Sequence, residues 1–578
     1  MNTFQGISAS GGIAKGNAFL LPVYTRQGVN KYPVAPDTVD ADWIRFEKAR
    51  EKTLEYFQSL IDQTNSRQAA IFQTYVLMLS DPDFLGQLKK EHTEQSVCIE
   101  WVVDNKAREY AGMLRSSGDS YLIERAEDIL DVYGKVIDNL IGDIQVSCES
   151  IPEGAILAAR FLSPSDAVFL SKKHLAAVIL DKGAANSHLA ILARTYGIPL
   201  VFGIEDIENR IHTGDGLIVD GSNGTVFVNP DKKTSTEYDK KIAGDAAERE
   251  KLAVFSSKAA RTKDGIAVKI YANIGSAEEA RIALEEGADG IGLFRTEFLF
   301  MQSGLISEER QFEEYRSVLE IMKDKPVVIR TLDAGGDKIV DIPGFSFKEE
   351  KNPLLGCRAI RLCLKMSALF KTQLRALLRA GVYGSLKIML PLITDAEQIR
   401  QTKILIEEVK TELQSKNIPF NADVPLGIMI ETPAAAIMAD ELAKEAAFFS
   451  IGSNDLTQYG LCVDRENAQT AGLFNELHPA IRRFIVQTAK AAQEADIPLS
   501  VCGEMAADKA RMLVLMSAGI NSFSVSPKKI ASLKECLSHF TAEQIEALKD
   551  WTESPMDADV LQEKMNIFLS GDHARGSV

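Results

Sequence analysis

Five places in the second half of the chain set reactive side chains at the end of a short apolar run. Gly290–Phe294 ends in Arg295-Thr296-Glu297, and Val327–Thr331 contains Arg330 and continues through Asp333 to Asp337-Lys338. Leu426–Ile430 ends in Glu431, Phe448–Gly452 ends in Ser453-Asn454-Asp455, and Leu499–Gly503 carries Cys502 and runs on to Glu504. The residue types are complementary. A planar guanidinium such as that of Arg295 or Arg330 holds a phosphate through several donors, which an ammonium does less well. Glu431 and Asp455 are hard oxygen ligands, and two carboxylates completed by substrate oxygens commonly hold Mg2+. Cys502 is either an inert core thiol or a proton-transfer group, and its company of polar run ends favours the second. Any single end has a plain explanation, a strand reaching solvent. Taken together, phosphate clamps, a divalent metal and a thiol acid suit cleavage of an enol phosphate.

A second centre is Gly183-Ala-Ala-Asn-Ser-His188-Leu-Ala-Ile-Leu-Ala-Arg194, followed by Gly197-Ile-Pro-Leu-Val. The small-residue turn sets His188 at the start of a helix, where free backbone N–H groups welcome a phosphate on the ring. A lone histidine is more often structural, so spacing alone does not decide its role. No HExxH, P-loop or GxSxG pattern stands nearby to suggest other chemistry.

These residues need a scaffold that brings distant run ends to one place. Eight apolar runs can be marked between residues 268 and 527: Val268–Asn273, Gly290–Phe294, Val327–Thr331, Leu386–Leu392, Leu426–Ile430, Phe448–Gly452, Leu499–Gly503 and Phe523–Ser526. Helical patterns separate most of them, which predicts a (β/α)8 TIM barrel whose reactive residues gather at the C-terminal ends of its strands. A doubly wound open sheet is the alternative. Upstream, residues 1–23 read as strands with tight turns, and β-type pieces return at Ala155–Ala158, Ala176–Leu180, Leu200–Phe202, Leu217–Val219 and Thr225–Val228. Between them, Asp37 to Gly142 carries long amphipathic patterns, with Asp81-Pro82-Asp83 marking a break and a new helix start. The return of β texture predicts a helical bundle inserted into one α/β domain. A charged, lysine-rich stretch from Asp231 to about Lys258 reads as a helical linker.

Length and charge bound the rest. A chain of 578 residues exceeds what one core serves, so three or four domains are expected. A formal charge of −16 argues against nucleic acid or an anionic membrane as partner, while leaving room for an arginine-lined pocket. The seven cysteines are scattered without a CxxC pair, which fits reduced thiols in the cytoplasm. The N-terminus lacks the basic-then-apolar pattern of a signal peptide, and no stretch approaches membrane-span length, so no membrane insertion is expected.

The motifs resemble one family, enzyme I of the bacterial phosphoenolpyruvate–sugar phosphotransferase system. The resemblance rests on the opening Gly6-Ile-Ser-Ala-Ser-Gly-Gly-Ile-Ala and on Gly290-Ile-Gly-Leu-Phe-Arg-Thr-Glu, Arg330-Thr-Leu-Asp-Ala-Gly-Gly-Asp-Lys and Asn352-Pro-Leu-Leu-Gly-Cys-Arg-Ala-Ile-Arg. It continues through Gly427-Ile-Met-Ile-Glu-Thr-Pro, Gly452-Ser-Asn-Asp-Leu-Thr-Gln-Tyr, Val463-Asp-Arg, His478-Pro-Ala and Cys502-Gly-Glu-Met-Ala, and the helical segment adds Ile71-Phe-Gln and Tyr121-Leu-Ile-Glu-Arg-Ala-Glu-Asp. It implies a phosphohistidine α/β domain at 1–30 and 145–230, a helical carrier-docking domain at 31–144, a linker at 231–260, and a phosphoenolpyruvate-binding barrel at 261–578 through which the chain forms a homodimer. It implies that His188 takes the phosphate of phosphoenolpyruvate on the ring nitrogen remote from Cβ and passes it to the small carrier HPr. Arg295, Arg330 and Arg465 would bind the substrate phosphate, and Asn454 with Asp455 its carboxylate through backbone amides. Glu431 and Asp455 would hold Mg2+, Cys502 would protonate the enolate, and Arg358 and Lys338 would be supporting cations. The chain departs from the family pattern at Asn186, with Lys182 nearby, at Tyr75 where histidine is common, at Gly11 where proline is usual and at Cys357 where tryptophan is frequent. Two alternatives stay beside this reading: the same chemistry feeding a regulatory carrier, and a non-catalytic docking protein.

Overall fold

The structure is a computed structural model describing residues 2–21, 29–63, 66–116, 120–141, 151–160, 162, 174–181, 189–190, 193–194, 197–300, 306–335, 351–465, 467 and 469–570. The chain forms two compact units, Met1–Ala246 and Ala247–Val578.

Among the described residues the first unit holds an eight-stranded sheet: β1 (Asn2–Gln5), β2 (Ile7–Ser10), β3 (Ile13–Leu20), β4 (Ile156–Ala159), β5 (Ala177–Leu180), β6 (Leu200–Phe202), β7 (Gly216–Asp220) and β8 (Thr225–Val228), in the order β1-β8-β7-β3-β4-β5-β6-β2. β4 and β5 are buried along their whole length, as expected of parallel strands covered on both faces. β3 and β4 are parallel neighbours, with Ala18 opposite Ile156. The five helices Val39–Gln63, Ser66–Leu79, Pro82–Gln95, Ile99–Ser116 and Ser120–Ile141 occupy the crossover between them. The helical segment is therefore an insertion, with its own core around Phe46, Phe57, Phe72, Tyr75 and Val132. The break at Asp81 is real: its carboxylate accepts the N–H groups of Asp83 and Phe84, and Pro82 opens the next helix. One long helix, Lys232–Ser256, covers the expected linker.

The second unit is a closed parallel barrel of β9 (Lys269–Ile274), β10 (Ile291–Phe294), β11 (Val327–Arg330), β12 (Leu386–Leu390), β13 (Leu426–Ile430), β14 (Phe449–Ile451), β15 (Leu499–Val501) and β16 (Ser522–Val525), with β16 pairing back to β9. Alternate residues face outward into a large core under the helices, such as Ile329, Ile388 and Ile428, or inward into a small plug of Leu293, Met389, Met429, Phe448 and Cys502. Ser276, Ser307, Asp395 and Asp508 each accept the backbone N–H three residues on, so the barrel helices start at fixed points after the strands. Among the described residues no helix is long and apolar enough to cross a membrane.

Tyr75, one of the departures from the family pattern, is a core residue. It is fully buried, stacked edge-on with Phe57 and Phe72, and its hydroxyl donates to Asp128 at 2.8 Å. Burial and the nearby Asp131 and Asp128 push its phenol far above the ordinary range, so it stays a donor. Tyr75→Phe should remove that bond at no cost in shape and lower the stability of the helical insertion by about 1–3 kcal/mol, read as a drop in urea midpoint with unchanged helical circular dichroism.

Candidate active site

Arg330, the last residue of β11, is buried and shared between two carboxylates. One is Glu297, just beyond β10; the other is Asp333 at 3.1 Å. The second oxygen of Asp333 takes Arg358 at 2.9 Å, so one fully buried carboxylate bridges two guanidinium groups. Arg358 also donates to the Tyr459 hydroxyl at 3.1 Å, which in turn donates to the Leu354 carbonyl at 2.7 Å. Thr296 hooks the end of β10 to β11 through a 3.0 Å bond to the Arg330 carbonyl. Burial works against the charge of Arg330, but Glu297 and then Asp333 outweigh it and hold the group firmly cationic. The Nε donors of Arg330 and Arg358 are buried and have no partner among the described residues.

Glu431 follows β13 and is almost completely buried. Its carboxylate accepts the Leu392 N–H at 2.6 Å, and Thr432 beside it donates to the Ile393 carbonyl at 2.7 Å. Leu392 holds a left-handed conformation (φ 55°), as does Ala359 (φ 51°) next to Arg358. Such backbone costs energy for a residue with a Cβ and persists where the surroundings enforce it. Asp455 lies in the first turn of the helix Ser453–Leu461, 3.7 Å from Arg465 and 3.9 Å from Arg358. Burial, then the charge of Asp455, then that of Asp333 push the Glu431 carboxyl well above the usual range. Two facing carboxylates with surplus negative charge fit a divalent cation completed by substrate oxygens. Among the described residues no cluster of three or more His, Cys, Asp or Glu side chains forms a metal cage.

The helix Ser453–Leu461 begins at Gly452, which offers no side chain to its first N–H groups, so that end is suited to a carboxylate or phosphate. Asn454 is fixed by accepting the Glu504 N–H at 2.9 Å. Gly503 is required here: a Cβ on it would lie 1.9 Å from the Ser453 hydroxyl.

Cys502 leaves β15 on the inner face, almost fully buried, with its thiol 3.5 Å from the Ile451 carbonyl. Burial pushes the thiol up, so it is held protonated. It lines an open cavity of about 570 Å³ together with Arg295, Asn454, Asn273 and Arg511. Asn273, which run-end reading passed over, donates to the carbonyls of Cys502 and Ser524 at 3.0 Å and accepts the Ser524 hydroxyl at 2.6 Å. Its signal in the sequence is its place as last residue of the first apolar run. Glu297 and Asp333 stood beside the arginines in the sequence, but nothing there showed that they neutralise them.

The barrel mouth thus brings Arg330, Arg358, Glu431, Asp455 and Arg465 into one charged cluster, and sets Arg295, Asn454 and Cys502 on one cavity. His188, the turn at 182–187 and Lys338 lie outside the described residues; of the expected helix after His188, residues 189–190 and 193–194 are helical.

Fold and motifs together define a phosphoenolpyruvate-utilising enzyme: the chain matches the PEP-utilising enzyme N-terminal domain over residues 5–125, the mobile domain over 151–224 and the PEP-binding domain over 249–542. It is 40% identical over 550 residues to the phosphoenolpyruvate-protein phosphotransferase of Priestia megaterium, covering 94% of this chain and 95% of that one. To the proteins of the same name from Bacillus sp. (strain S) and Bacillus subtilis (strain 168) it is 39% identical over 553 residues and 36% over 557, covering 95% of this chain in each case and 95% and 96% of theirs. The chain belongs to the phosphoenolpyruvate-protein phosphotransferase family.

The raised Glu431 carboxyl has a consequence for stability. The folded barrel keeps this proton at a pH where the unfolded chain releases it, so the contribution is full at acid pH and is lost as pH climbs from the ordinary carboxylate range through the raised value. In chelator-treated protein the thermal midpoint of the barrel should fall over that window, and the difference between wild type and Glu431→Gln should change with pH in that sense. A constant difference between the two proteins at every pH would count against the assignment.

Proposed function

We propose that this chain transfers the phosphate of phosphoenolpyruvate to its own His188 and then to an HPr-type carrier histidine, releasing pyruvate. The observation that carries the reading is a thiol held protonated on one cavity with Arg295, beside a cluster of buried arginines and carboxylates at a barrel mouth.

In this reading Arg295, Arg330 and Arg465 receive the substrate phosphate, with Arg358 and Lys338 adding positive charge nearby. The uncapped N–H groups at Asn454 and Asp455 receive its carboxylate. Glu431 and Asp455 hold a divalent cation, Mg2+, which when bound offsets charge on the substrate oxygens. The His188 lone pair forms the bond to phosphorus, and the bond from phosphorus to the enol oxygen breaks, leaving its electron pair on that oxygen. The enolate then takes the Cys502 thiol proton at its terminal carbon, giving pyruvate, and the thiolate is reprotonated from water. Positioning and charge compensation carry phosphoryl transfer, and the proton makes the product stable. The α/β part at 1–30 and 145–230 carries the phosphohistidine, the helical insertion at 31–144 docks the carrier, the segment 231–260 links them to the barrel at 261–578, and two barrels pair as a homodimer in the cytoplasm.

Incubation with radiolabelled phosphoenolpyruvate and Mg2+ should give acid-labile, base-stable label that moves to added HPr. His188→Ala should bind phosphoenolpyruvate yet take no label; persistence of label there would remove His188 as acceptor. Label that forms but stays put would redirect the proposal to a different carrier. Cys502→Ala should slow pyruvate formation by about 10²–10⁴-fold while Mg2+ dependence remains, and near-normal turnover would take Cys502 out of the mechanism.

A further inference from the structure

Behind the cavity lies a second buried carboxylate that the reaction above does not use. Glu476 sits in the loop between the helices Ser453–Leu461 and Pro479–Glu494, with about 3% of its surface exposed. One of its oxygens accepts the Ser453 hydroxyl at 2.9 Å; the other pairs with the Arg511 guanidinium. The Met505 backbone, in the turn just after β15, adds a smaller favourable effect on its charge. These three residues come from the end of β14, the turn after β15 and the helix Lys509–Ser517. Burial raises the Glu476 carboxyl, and Arg511, Ser453 and Met505 work to keep its charge.

What this carboxylate ties together is the substrate side of the site. Ser453 opens the helix that carries Asn454 and Asp455. The same Ser453 hydroxyl is what a side chain at Gly503, the residue after Cys502, would strike. Met505 lies three residues beyond Cys502, and the intervening Glu504 N–H bonds Asn454. Arg511 lines the cavity that Cys502 and Arg295 line. The ends of β14 and β15 meet directly, through the Glu504–Asn454 bond and the close approach of Gly503 to Ser453, and Glu476 braces that junction from behind by holding Ser453 and Arg511.

We propose that Glu476 is a positioning residue for proton delivery: it holds the Cys502 end of β15 against the Asn454–Asp455 turn, and so sets the thiol over the carbon it protonates. The proposal rests on the reading of Cys502 as proton donor given above. Groups that orient catalytic residues from behind matter on the order of 10- to 100-fold in activity.

The test compares single-turnover pyruvate formation and label transfer in wild type, Glu476→Gln and Cys502→Ala, in H2O and D2O. Glu476→Gln keeps an acceptor for Ser453 but leaves Arg511 without its counter-charge. It should lower kcat by about 10- to 100-fold, keep KM for phosphoenolpyruvate within about threefold, and show a larger solvent isotope effect than wild type. Added to Cys502→Ala it should cost less than about threefold more, since both act on one step. A loss with unchanged isotope effect, or a full loss on top of Cys502→Ala, would overturn the positioning role and leave a merely structural one. If Glu476→Gln fails to fold, Ser453→Ala carries the same test, because it removes only the link to β14. Absence of label or pyruvate in wild type would instead overturn the reading on which the proposal rests.

Discussion

Four carboxylates, Glu297, Asp333, Glu431 and Asp455, surround two buried guanidinium groups, Arg330 and Arg358, at the mouth of the barrel. Taking charge out of water costs several kcal/mol for each ion, and removing one partner of a buried pair costs about 3–5 kcal/mol because the other is left alone. The surrounding strand ends are therefore constrained in detail. Thr296 ties β10 to β11, the left-handed Leu392 turns its N–H onto Glu431, and Asp333 spaces two arginines at once. A barrel supplies such positions because each strand end is hydrogen-bonded to neighbours on both sides, so the tips are rigid while the loops beyond them are free to vary.

The same cluster accounts for the preferences of the site. Within it the charges of Asp455 and Asp333 add to burial in raising the Glu431 carboxyl, a repulsion that a divalent cation would relieve. In the proposed reaction the less buried Arg295 and Arg465 receive the incoming anion, while the buried Nε donors of Arg330 and Arg358 have no partner among the described residues. In that reaction, substrate and metal depend on each other. Glu431 and Asp455 would hold a divalent cation that offsets their mutual repulsion, with ligand positions remaining for substrate oxygens.

Much of this was legible in the sequence, for a physical reason. Parallel strands buried on both faces read as short unbroken apolar runs, and each of the eight runs became a barrel strand, with ends displaced by a residue or two, as at Phe523–Ser526 against β16 at Ser522–Val525. The reactive residues stood out because they followed those runs directly. What the sequence hid are groups defined by partners far along the chain. Glu476 lies in an irregular loop with no spacing pattern, and its partners are 23 and 35 positions away. Asp333 was visible as a polar residue after Arg330, but Arg358 stands 25 positions further on and no spacing pattern links the two. Tyr75 stood out as a departure from a familiar pattern, yet its burial among Phe57, Phe72 and Asp128 follows only from the packing of the helices.

The burial of Cys502 bears on the state in which it waits for the enolate. In the proposed reaction the thiol gives its proton to an enolate, a far stronger base than a thiolate, so a thiol pushed up by burial still delivers it. Running the step backward requires a thiolate in that same apolar plug of Leu293, Met389, Met429 and Phe448, where its charge is poorly solvated. Proton delivery leaves that same thiolate behind, so its energy bears on both directions alike, and the balance between enolate and pyruvate rests on their own stabilities. The nearby cations oppose the effect of burial only in part, because Arg330 is already shared by Glu297 and Asp333. A thiol in open solvent would ionise more easily and be less completely protonated when the enolate forms. Placing the donor on the inner face of β15, in the wall of the cavity, keeps the proton available until an enolate is there to take it.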